Sequence, residues 1–315
     1  MNYKTSFPFQ NGHFNTLYTA LARQVLQLEF ERERIDLKDG DFLDLDWMSS
    51  NKSKLIILSH GLEGSSRGTY IQGMMKYFLD KGYDALAWNC RGCSGELNRK
   101  AFYYNSGVSH DLSEVIDHCI ENKKYDEIYL IGFSMGGNIT LKYLGEKGTS
   151  VSPKIKGAVA FSTPVDLRGC SLKLDIGFNK IYTKNFLKTL KIKVQLKEEM
   201  IREVGFEPDD IYKCKNLNQF DNIFTGPLHG YKDAEDYYTR ASSKQFIPKI
   251  EVPTLLVNAS DDPFLTESCF PHEILKDNFT FERTKFGGHV GFGHFRPYSP
   301  IWSEERAYQF LDGLS

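Results

Sequence analysis

Short apolar runs alternate with longer segments of helical periodicity along most of the chain. The runs are rich in Val, Ile, Leu and aromatic residues, and most of them end at glycine or polar residues. Continuous apolar runs of this length are typical of strands that are buried on both faces of a parallel sheet. The predicted strands are residues 55–58, 85–89, 127–132, 155–161, 254–259 and 279–286. Their alternation with helices predicts an α/β protein with a mostly parallel central sheet.

Two earlier segments, residues 31–37 and 42–47, flank the dipeptide Asp39-Gly40. An Asp-Gly pair between strand-like segments indicates a tight turn and hence an antiparallel hairpin. The sheet is therefore expected to begin with an N-terminal antiparallel hairpin and to continue with parallel strands.

Residues 167–243 interrupt the alternation of strands and helices. They are rich in Lys, Glu and Tyr, show a helical pattern across residues 185–204 and contain no clear buried strand. We interpret this segment as a helical cap inserted between two strands, and the alternative is an ordinary surface elaboration. No linker rich in Ser, Pro or Gly divides the chain, so we expect a single domain spanning residues 1–315 with the cap inserted in it.

The composition is that of a globular protein of ordinary charge. Among 315 residues, 41% are hydrophobic and 25% are charged, and 39 Lys and Arg face 41 Asp and Glu for a net charge of −2. This balance gives no strong overall field that would attract nucleic acid or an anionic membrane. We find no targeting pattern, no apolar stretch near the roughly 20 residues that span a bilayer, and no disulfide framework among the six cysteines. We therefore expect a cytoplasmic protein with no nucleic-acid partner and no stable membrane insertion.

A candidate nucleophile follows the predicted strand 127–132. The sequence Gly132-Phe133-Ser134-Met135-Gly136 leads into a segment, residues 138–144, that is predicted to be a helix ending near Gly145. In a G-x-S-x-G turn between a strand and a helix, the glycines avoid collisions and the serine is presented above the edge of the sheet. Ser134 is therefore the predicted nucleophile.

A serine nucleophile needs a base, and the base needs a carboxylate that orients it. On this kind of strand–turn–helix scaffold the chain order is Ser, then Asp or Glu, then His. Asp261 and Asp262 follow the predicted strand 254–259. The offset from the strand favours Asp262 as the orienting carboxylate, and Asp261 remains the alternative.

Three histidines follow this pair: His272, His289 and His294. His289 follows the last predicted strand and is preceded by Gly287-Gly288, which let the backbone bring an imidazole over the edge of the sheet. His294 has a poorer offset, and His272 is interpreted as a surface or capping residue. We therefore predict His289 as the base.

An acyl-transfer site also needs backbone N–H groups that stabilise an oxyanion. One is expected from Met135, which directly follows the nucleophile. The second is expected from the loop after strand 55–58, where Leu62 is the candidate donor. His60 in the same loop precedes Ser134, the wrong order for a base, and is interpreted as a structural histidine bonded to nearby backbone.

Taken together, these motifs resemble the YheT-type α/β-hydrolases over nearly the whole chain. The resemblance rests on Asn11-Gly12-His13, Asp39 to Phe42, Leu45-Asp46-Trp47, His60 to Gly64, Asn89 to Glu96, Gly132 to Asn138, Asp261 to Phe264 and Gly287 to Phe292. It implies an α/β-hydrolase fold with a helical cap, carboxylic-ester hydrolase activity and a triad on Ser134, Asp262 and His289. The chain departs from the family at Leu97 and Thr266, where relatives carry prolines that stiffen loops.

The expected activity is cleavage of small-molecule carboxylic esters, with acyl or lipid-like esters indicated by the aromatic content of the cap. Such a reaction requires no cofactor and no metal, and the lone Cys90-x-x-Cys93 pair predicts neither. An acyltransferase would use the same triad, and a binding protein that keeps the fold without chemistry is the alternative of a different class.

Overall fold

The computed structural model describes residues 3–271 and 276–314 and contains an eight-stranded sheet. The strands are β1 (Glu31–Asp36), β2 (Phe42–Met48), β3 (Lys54–Ser59), β4 (Asp84–Asn89), β5 (Glu127–Phe133), β6 (Ile155–Phe161), β7 (Thr254–Ala259) and β8 (Phe279–Thr284). Their order across the sheet is β1-β2-β4-β3-β5-β6-β7-β8. β1 and β2 form an antiparallel hairpin, β2 also pairs antiparallel with β4, and all other pairs are parallel. The mixed sheet predicted from the sequence is confirmed.

Helices lie on both faces of the sheet and in the segment between β6 and β7. They are α1 (Gly12–Leu21), α2 (Thr69–Leu79), α3 (Ser109–Asn122), α4 (Met135–Lys147), α5 (Leu167–Leu174), α6 (Lys180–Leu196), α7 (Glu198–Glu203), α8 (Leu217–Phe220), α9 (Gly226–Leu228), α10 (Ala234–Ala241) and α11 (Trp302–Asp312), joined in places by short 3₁₀ and π turns. Along β3, Leu55 and Ile57 face one apolar cluster while Ile56 and Leu58 face the other. This double burial explains why the central strands are continuously apolar. Within the described residues, no helix is long and apolar enough to cross a membrane.

The helix after Ser134 is longer than the sequence predicts. It begins at Met135 and runs through Gly145 to Lys147. A Cβ on Gly145 would lie 2.3 Å from the carbonyl oxygen of Phe246, so this glycine permits a close approach of two segments and does not end the helix. The end at Lys147 lies two residues beyond the Gly145 that the sequence indicates.

The segment between β6 and β7 is helical, but its main helix differs from the predicted 185–204. α6 begins at Lys180, and the helical path breaks at Lys197 before α7. Lys197 is buried and donates hydrogen bonds to Asn98 Oδ1 and to the carbonyl oxygen of Lys100. A contact with a distant loop therefore sets this break, and no local pattern marks it.

A buried ion cluster joins the N-terminal hairpin to the sheet and to α3. The Arg91 guanidinium, after the end of β4, donates two hydrogen bonds to Asp111 at 2.8 and 2.7 Å. It also donates to Asp39 at 2.6 Å and to Asp41 at 3.1 Å. Three carboxylates therefore depend on one cation, and the side chains of Arg91, Asp41 and Asp111 are almost fully buried.

We expect Arg91→Met to lower the free energy of unfolding by about 3–5 kcal/mol, because it leaves buried carboxylates without a cation. The matched control is Arg202→Met, which removes an exposed ion pair with Glu207 and should cost about 0–1 kcal/mol. Urea unfolding followed by circular dichroism measures both values. Equal losses in the two variants would contradict the structural role of the cluster.

Candidate active site

Ser134 occupies the sharp turn between β5 and α4. Its backbone has φ 52° and ψ −119°, a conformation that is strained for a residue with a side chain. A Cβ on Gly132 would lie 2.4 Å from the carbonyl oxygen of Gly136, and one on Gly136 would lie 2.1 Å from that of Ser59. Only glycines at these two positions let the strand, the turn and the helix come this close. The predicted G-x-S-x-G turn therefore presents Ser134 at the carboxyl end of the sheet.

The structure brings the three predicted side chains into one hydrogen-bonded chain. His289 Nε2 lies 2.8 Å from Ser134 Oγ. On the other side of the ring, His289 Nδ1 lies 2.9 Å from Asp262 Oδ2 and 3.2 Å from Oδ1. Phe264 stacks on the imidazole with ring centroids 4.0 Å apart, and its N–H donates to Asp262 Oδ1 at 2.8 Å. The imidazole is therefore held both by a hydrogen bond and by an aromatic face.

The backbone around His289 is tied to elements that are distant in sequence. The His289 N–H donates to Thr16 Oγ1 of α1 at 2.8 Å, and the Val290 N–H donates to Ser162 Oγ at 2.9 Å. Gly288 has φ 60°, and a Cβ there would lie 2.5 Å from the carbonyl oxygen of Gly12. α1 therefore packs directly against the loop that carries the histidine.

Asp261 has a different role from its neighbour. Its Oδ1 accepts a hydrogen bond from the Gly288 N–H at 2.9 Å, and no hydrogen bond joins it to the His289 ring among the described residues. Burial raises the pKa of the Asp261 carboxyl to about 6. The structure thus brings Asp262, and not Asp261, to the imidazole, while Asp261 braces the histidine loop.

His60 and His294 take no part in this chain of hydrogen bonds. His60 is buried, its Nδ1 lies 2.7 Å from the Gly61 carbonyl, and its Nε2 accepts from the Cys90 N–H at 3.1 Å. Burial lowers the pKa of His60 to about 4, so the ring is neutral, as expected of a structural histidine. His294 Nε2 lies 2.8 Å from the Pro300 carbonyl oxygen. His272 lies outside the described residues.

The two residues whose N–H groups are predicted to bind an oxyanion lie in the same cavity as Ser134. Met135 and Leu62 both line the cavity that contains Ser134 and His289. A Cβ on Gly61 would lie 3.3 Å from Ser134 Cβ, so the loop of Leu62 runs directly against the serine. The Gly61 N–H donates to the Tyr70 hydroxyl at 3.0 Å, which anchors the loop to α2.

A buried ion pair with α6 also holds the loop that contains Leu62. Lys193 of α6 donates to Glu63 Oε1 at 2.7 Å and lies 3.3 Å from Cys93 Sγ. Burial works against the charge on Lys193, but Cys93 and Glu63 outweigh it and raise the pKa of the lysine. The Tyr104 hydroxyl accepts from the Glu63 N–H and donates to Glu63 Oε1. Glu63, with φ 54°, is therefore held in a strained conformation directly after Leu62.

The helical segment between β6 and β7 also forms hydrogen bonds with the loop that carries Asp262. Lys173 of α5 donates to the carbonyl oxygens of Asp262, at 3.0 Å, and Leu265. Asn179 donates to the Pro263 carbonyl oxygen at 2.7 Å. Two loops of the site therefore have partners in the segment between β6 and β7.

Ser134 opens into a cavity of about 510 Å³ beneath this segment. Its walls are mostly apolar or aromatic and include Leu17, Phe186, Leu190, Phe220, Tyr182 and Tyr238. A large apolar cavity with a few convergent polar groups is typical of a small-molecule site. Among the described residues, no group of three or more His, Cys, Asp or Glu is arranged to hold a metal ion.

One carboxyl group stands out in the apolar wall. The Tyr238 hydroxyl donates to Asp221 Oδ2 at 2.7 Å and lies 3.0 Å from Ser171 Oγ. Burial raises the pKa of Asp221 to about 6. Asp221 is thus a polar group in the part of the cavity wall that the segment between β6 and β7 forms, and it is separate from Ser134.

Sequence reasoning missed Thr16, Lys173, Lys193 and Asp221. Glu63 lies within a recognised motif, so its position carried a signal, but its lysine partner is 130 residues away. No periodicity or spacing connects residues so far apart.

Comparison with known proteins identifies the family. The family model described as "alpha/beta hydrolase fold" matches residues 54–269. The YheT protein of Escherichia coli (strain K12) is 32% identical, with 96% of this chain and 91% of that protein covered. Phospholipase ABHD3 of Mus musculus is 30% identical over 89% of this chain and 69% of its own length.

Solved structures agree on the fold. The esterase Pf2001 of Pyrococcus furiosus superposes with a TM-score of 0.60 at 18% sequence identity, covering 92% of this chain and 96% of that one. At this identity the likeness concerns the fold alone. Together with the family model and the sequence relatives, it shows that the chain belongs to the α/β-hydrolase family, and within it to the YheT-type branch.

Proposed function

We propose that the protein is a serine hydrolase of carboxylic esters in which Ser134, His289 and Asp262 form a catalytic triad. The observation that carries this function is the continuous hydrogen-bonded chain from the Ser134 hydroxyl through the imidazole to Asp262, with contacts of 2.8 and 2.9 Å. The name of its relative, phospholipase ABHD3 of Mus musculus, supports hydrolysis of acyl esters.

In the first half of the reaction, Ser134 Oγ attacks the ester carbonyl carbon while its proton passes to His289 Nε2. The Nδ1–H group donates to Asp262, which orients the ring and stabilises the imidazolium that forms. Negative charge develops on the carbonyl oxygen, and the N–H groups of Met135 and Leu62 stabilise it. The C–O bond to the alcohol then breaks, and Nε2 returns the proton to the departing oxygen.

In the second half, water attacks the acyl-enzyme. His289 accepts a proton from the water, the tetrahedral intermediate forms again in the same backbone site, and the carboxylic acid leaves as Ser134 regains its proton. No step in this sequence requires a cofactor.

We further propose that residues 167–243 act as a cap on a single domain spanning residues 1–315. Residues of this segment form much of the wall of the 510 Å³ cavity. Since that wall is mostly apolar, we infer that the cavity accepts the acyl chain of a lipid-like ester.

A fluorophosphonate probe, read by intact mass, is expected to add once to the wild-type protein and not at all to Ser134→Ala. Esterase activity should fall by about 10⁴-fold or more in this variant, and labelling should slow strongly in His289→Ala. Ser171→Ala, which removes another hydroxyl from the cavity wall, is the control and should label normally. An adduct that persists in Ser134→Ala would exclude this nucleophile.

Asp262→Asn is expected to lower kcat by about 10³–10⁴-fold, because an amide no longer holds the required imidazole tautomer. Asp261→Asn keeps an acceptor for the Gly288 N–H and should stay within about tenfold of wild type. Steady-state kinetics on one ester substrate compares the two. If Asp261→Asn gave the larger loss, the assignment of the carboxylate would be wrong.

Across a series of p-nitrophenyl esters of increasing length, kcat/KM is expected to rise by up to about fourfold per methylene until the cavity is filled. The gain arises because each added methylene is buried against an apolar wall. Ser134→Ala serves as the blank for uncatalysed hydrolysis. Rates that fall steadily from short to long esters would contradict a lipid-like substrate.

A further inference from the structure

The exposed face of α6 is basic and apolar at once. Lys180, Lys184 and Lys188 recur every four residues along it, with the exposed Ile181 next to the first lysine and the exposed Ile192 one turn beyond the last. From residue 180 to residue 196 the sequence contains no acidic side chain, and acidic residues resume only in α7. Among the described ion pairs and hydrogen bonds, none uses the ammonium group of these three lysines.

Apolar side chains on this side of the molecule surround the mouth of the cavity. Leu21 at the end of α1 and Ile181 of α6 both line the cavity, yet they are 82% and 54% exposed. Phe178, just before α6, is 50% exposed, and its ring centroid lies 4.6 Å from that of His13 in α1. α1 and the start of α6 thus meet at the opening. The three lysines lie on the exposed side of the same helix, and we refer to them together with Leu21, Phe178 and Ile181 as the mouth rim.

Exposed apolar residues interleaved with lysines suit one environment in particular. Helices that lie at a lipid–water interface bury apolar side chains among the headgroups while basic side chains contact anionic lipids. A symmetric dimer through the same face would instead place the lysine row against its own copy, and the like charges would repel. The charge of the mouth rim therefore favours an anionic lipid surface over a second copy of the chain.

We propose that the mouth rim docks the protein on an anionic phospholipid bilayer. Docked in this way, the cavity opens at the lipid surface, and an acyl ester passes from the bilayer to Ser134 without its chain crossing water. Docking goes beyond the proposed ester hydrolysis and does not require it. It is therefore measured on the Ser134→Ala protein, in which binding is separate from turnover.

The test is co-sedimentation of the Ser134→Ala protein with vesicles of phosphatidylcholine and phosphatidylglycerol, and with vesicles of phosphatidylcholine alone. We expect binding to the anionic vesicles that weakens as salt is raised. Adding Lys180→Gln, Lys184→Gln and Lys188→Gln should lower the partition coefficient by about 100-fold, at about fivefold per lysine. Adding Phe178→Ser and Ile181→Ser instead should lower it by about tenfold or more.

The matched control carries Lys124→Gln, Lys156→Gln and Lys249→Gln, which change the net charge equally. These exposed lysines lie at or before the first residues of β5, β6 and β7, at the end of the sheet opposite the cavity. The control should bind as the parent does. Equal losses in the two lysine triples, or no binding of the parent to anionic vesicles, would overturn the docking surface. A dimer seen by sedimentation velocity would also overturn it, if Phe178→Ser dissociated that dimer and the parent did not bind vesicles.

Discussion

The site depends on a close contact between three pieces of backbone at the carboxyl end of the sheet. β3, the turn at Ser134 and the start of α4 approach so closely that a single Cβ at Gly132 or Gly136 would overlap a neighbouring carbonyl oxygen. Tight packing holds Ser134 at a positive φ, a conformation that an isolated peptide would rarely adopt. The same contact sets the loop of Leu62 against the serine. The strained backbone of Ser134 and the position of the loop beside it are thus two results of one packing constraint.

Around this centre, the site combines an apolar wall with a few polar groups that hydrogen bonds hold in place. The cavity is lined mostly by apolar and aromatic side chains, which lower the local dielectric constant and so strengthen the electrostatic interactions inside it. The loop that carries Asp262 accepts hydrogen bonds from Lys173 and Asn179, and the N–H group of His289 donates to the Thr16 hydroxyl. These partners come from α1 and from the helical segment, elements outside the parallel sheet. Peripheral parts of the chain therefore position the central residues.

The sequence predicted those features that are encoded locally. The turn at Ser134 is marked by a motif of five residues. The central strands are recognisable as continuous apolar runs because both of their faces are buried. The choice between Asp261 and Asp262 rested on an offset, and the structure separates the two by their partners: the imidazole for one, the Gly288 N–H for the other. The break at Lys197 and the role of Gly145 were not predictable, because each is set by a contact with a segment about 100 residues away. Lys197 contacts Asn98, and Gly145 packs against Phe246.

The ion pair between Lys193 and Glu63 has a mechanical consequence. It links α6 to the strained residue that follows Leu62, and both side chains are mostly buried. Moving α6 away from the sheet would therefore break a buried ion pair, and the Glu63 carboxylate would keep the Tyr104 hydroxyl as a partner. Because breaking a buried pair is costly, the pair resists that motion and ties the position of α6 to the loop that runs beside Ser134.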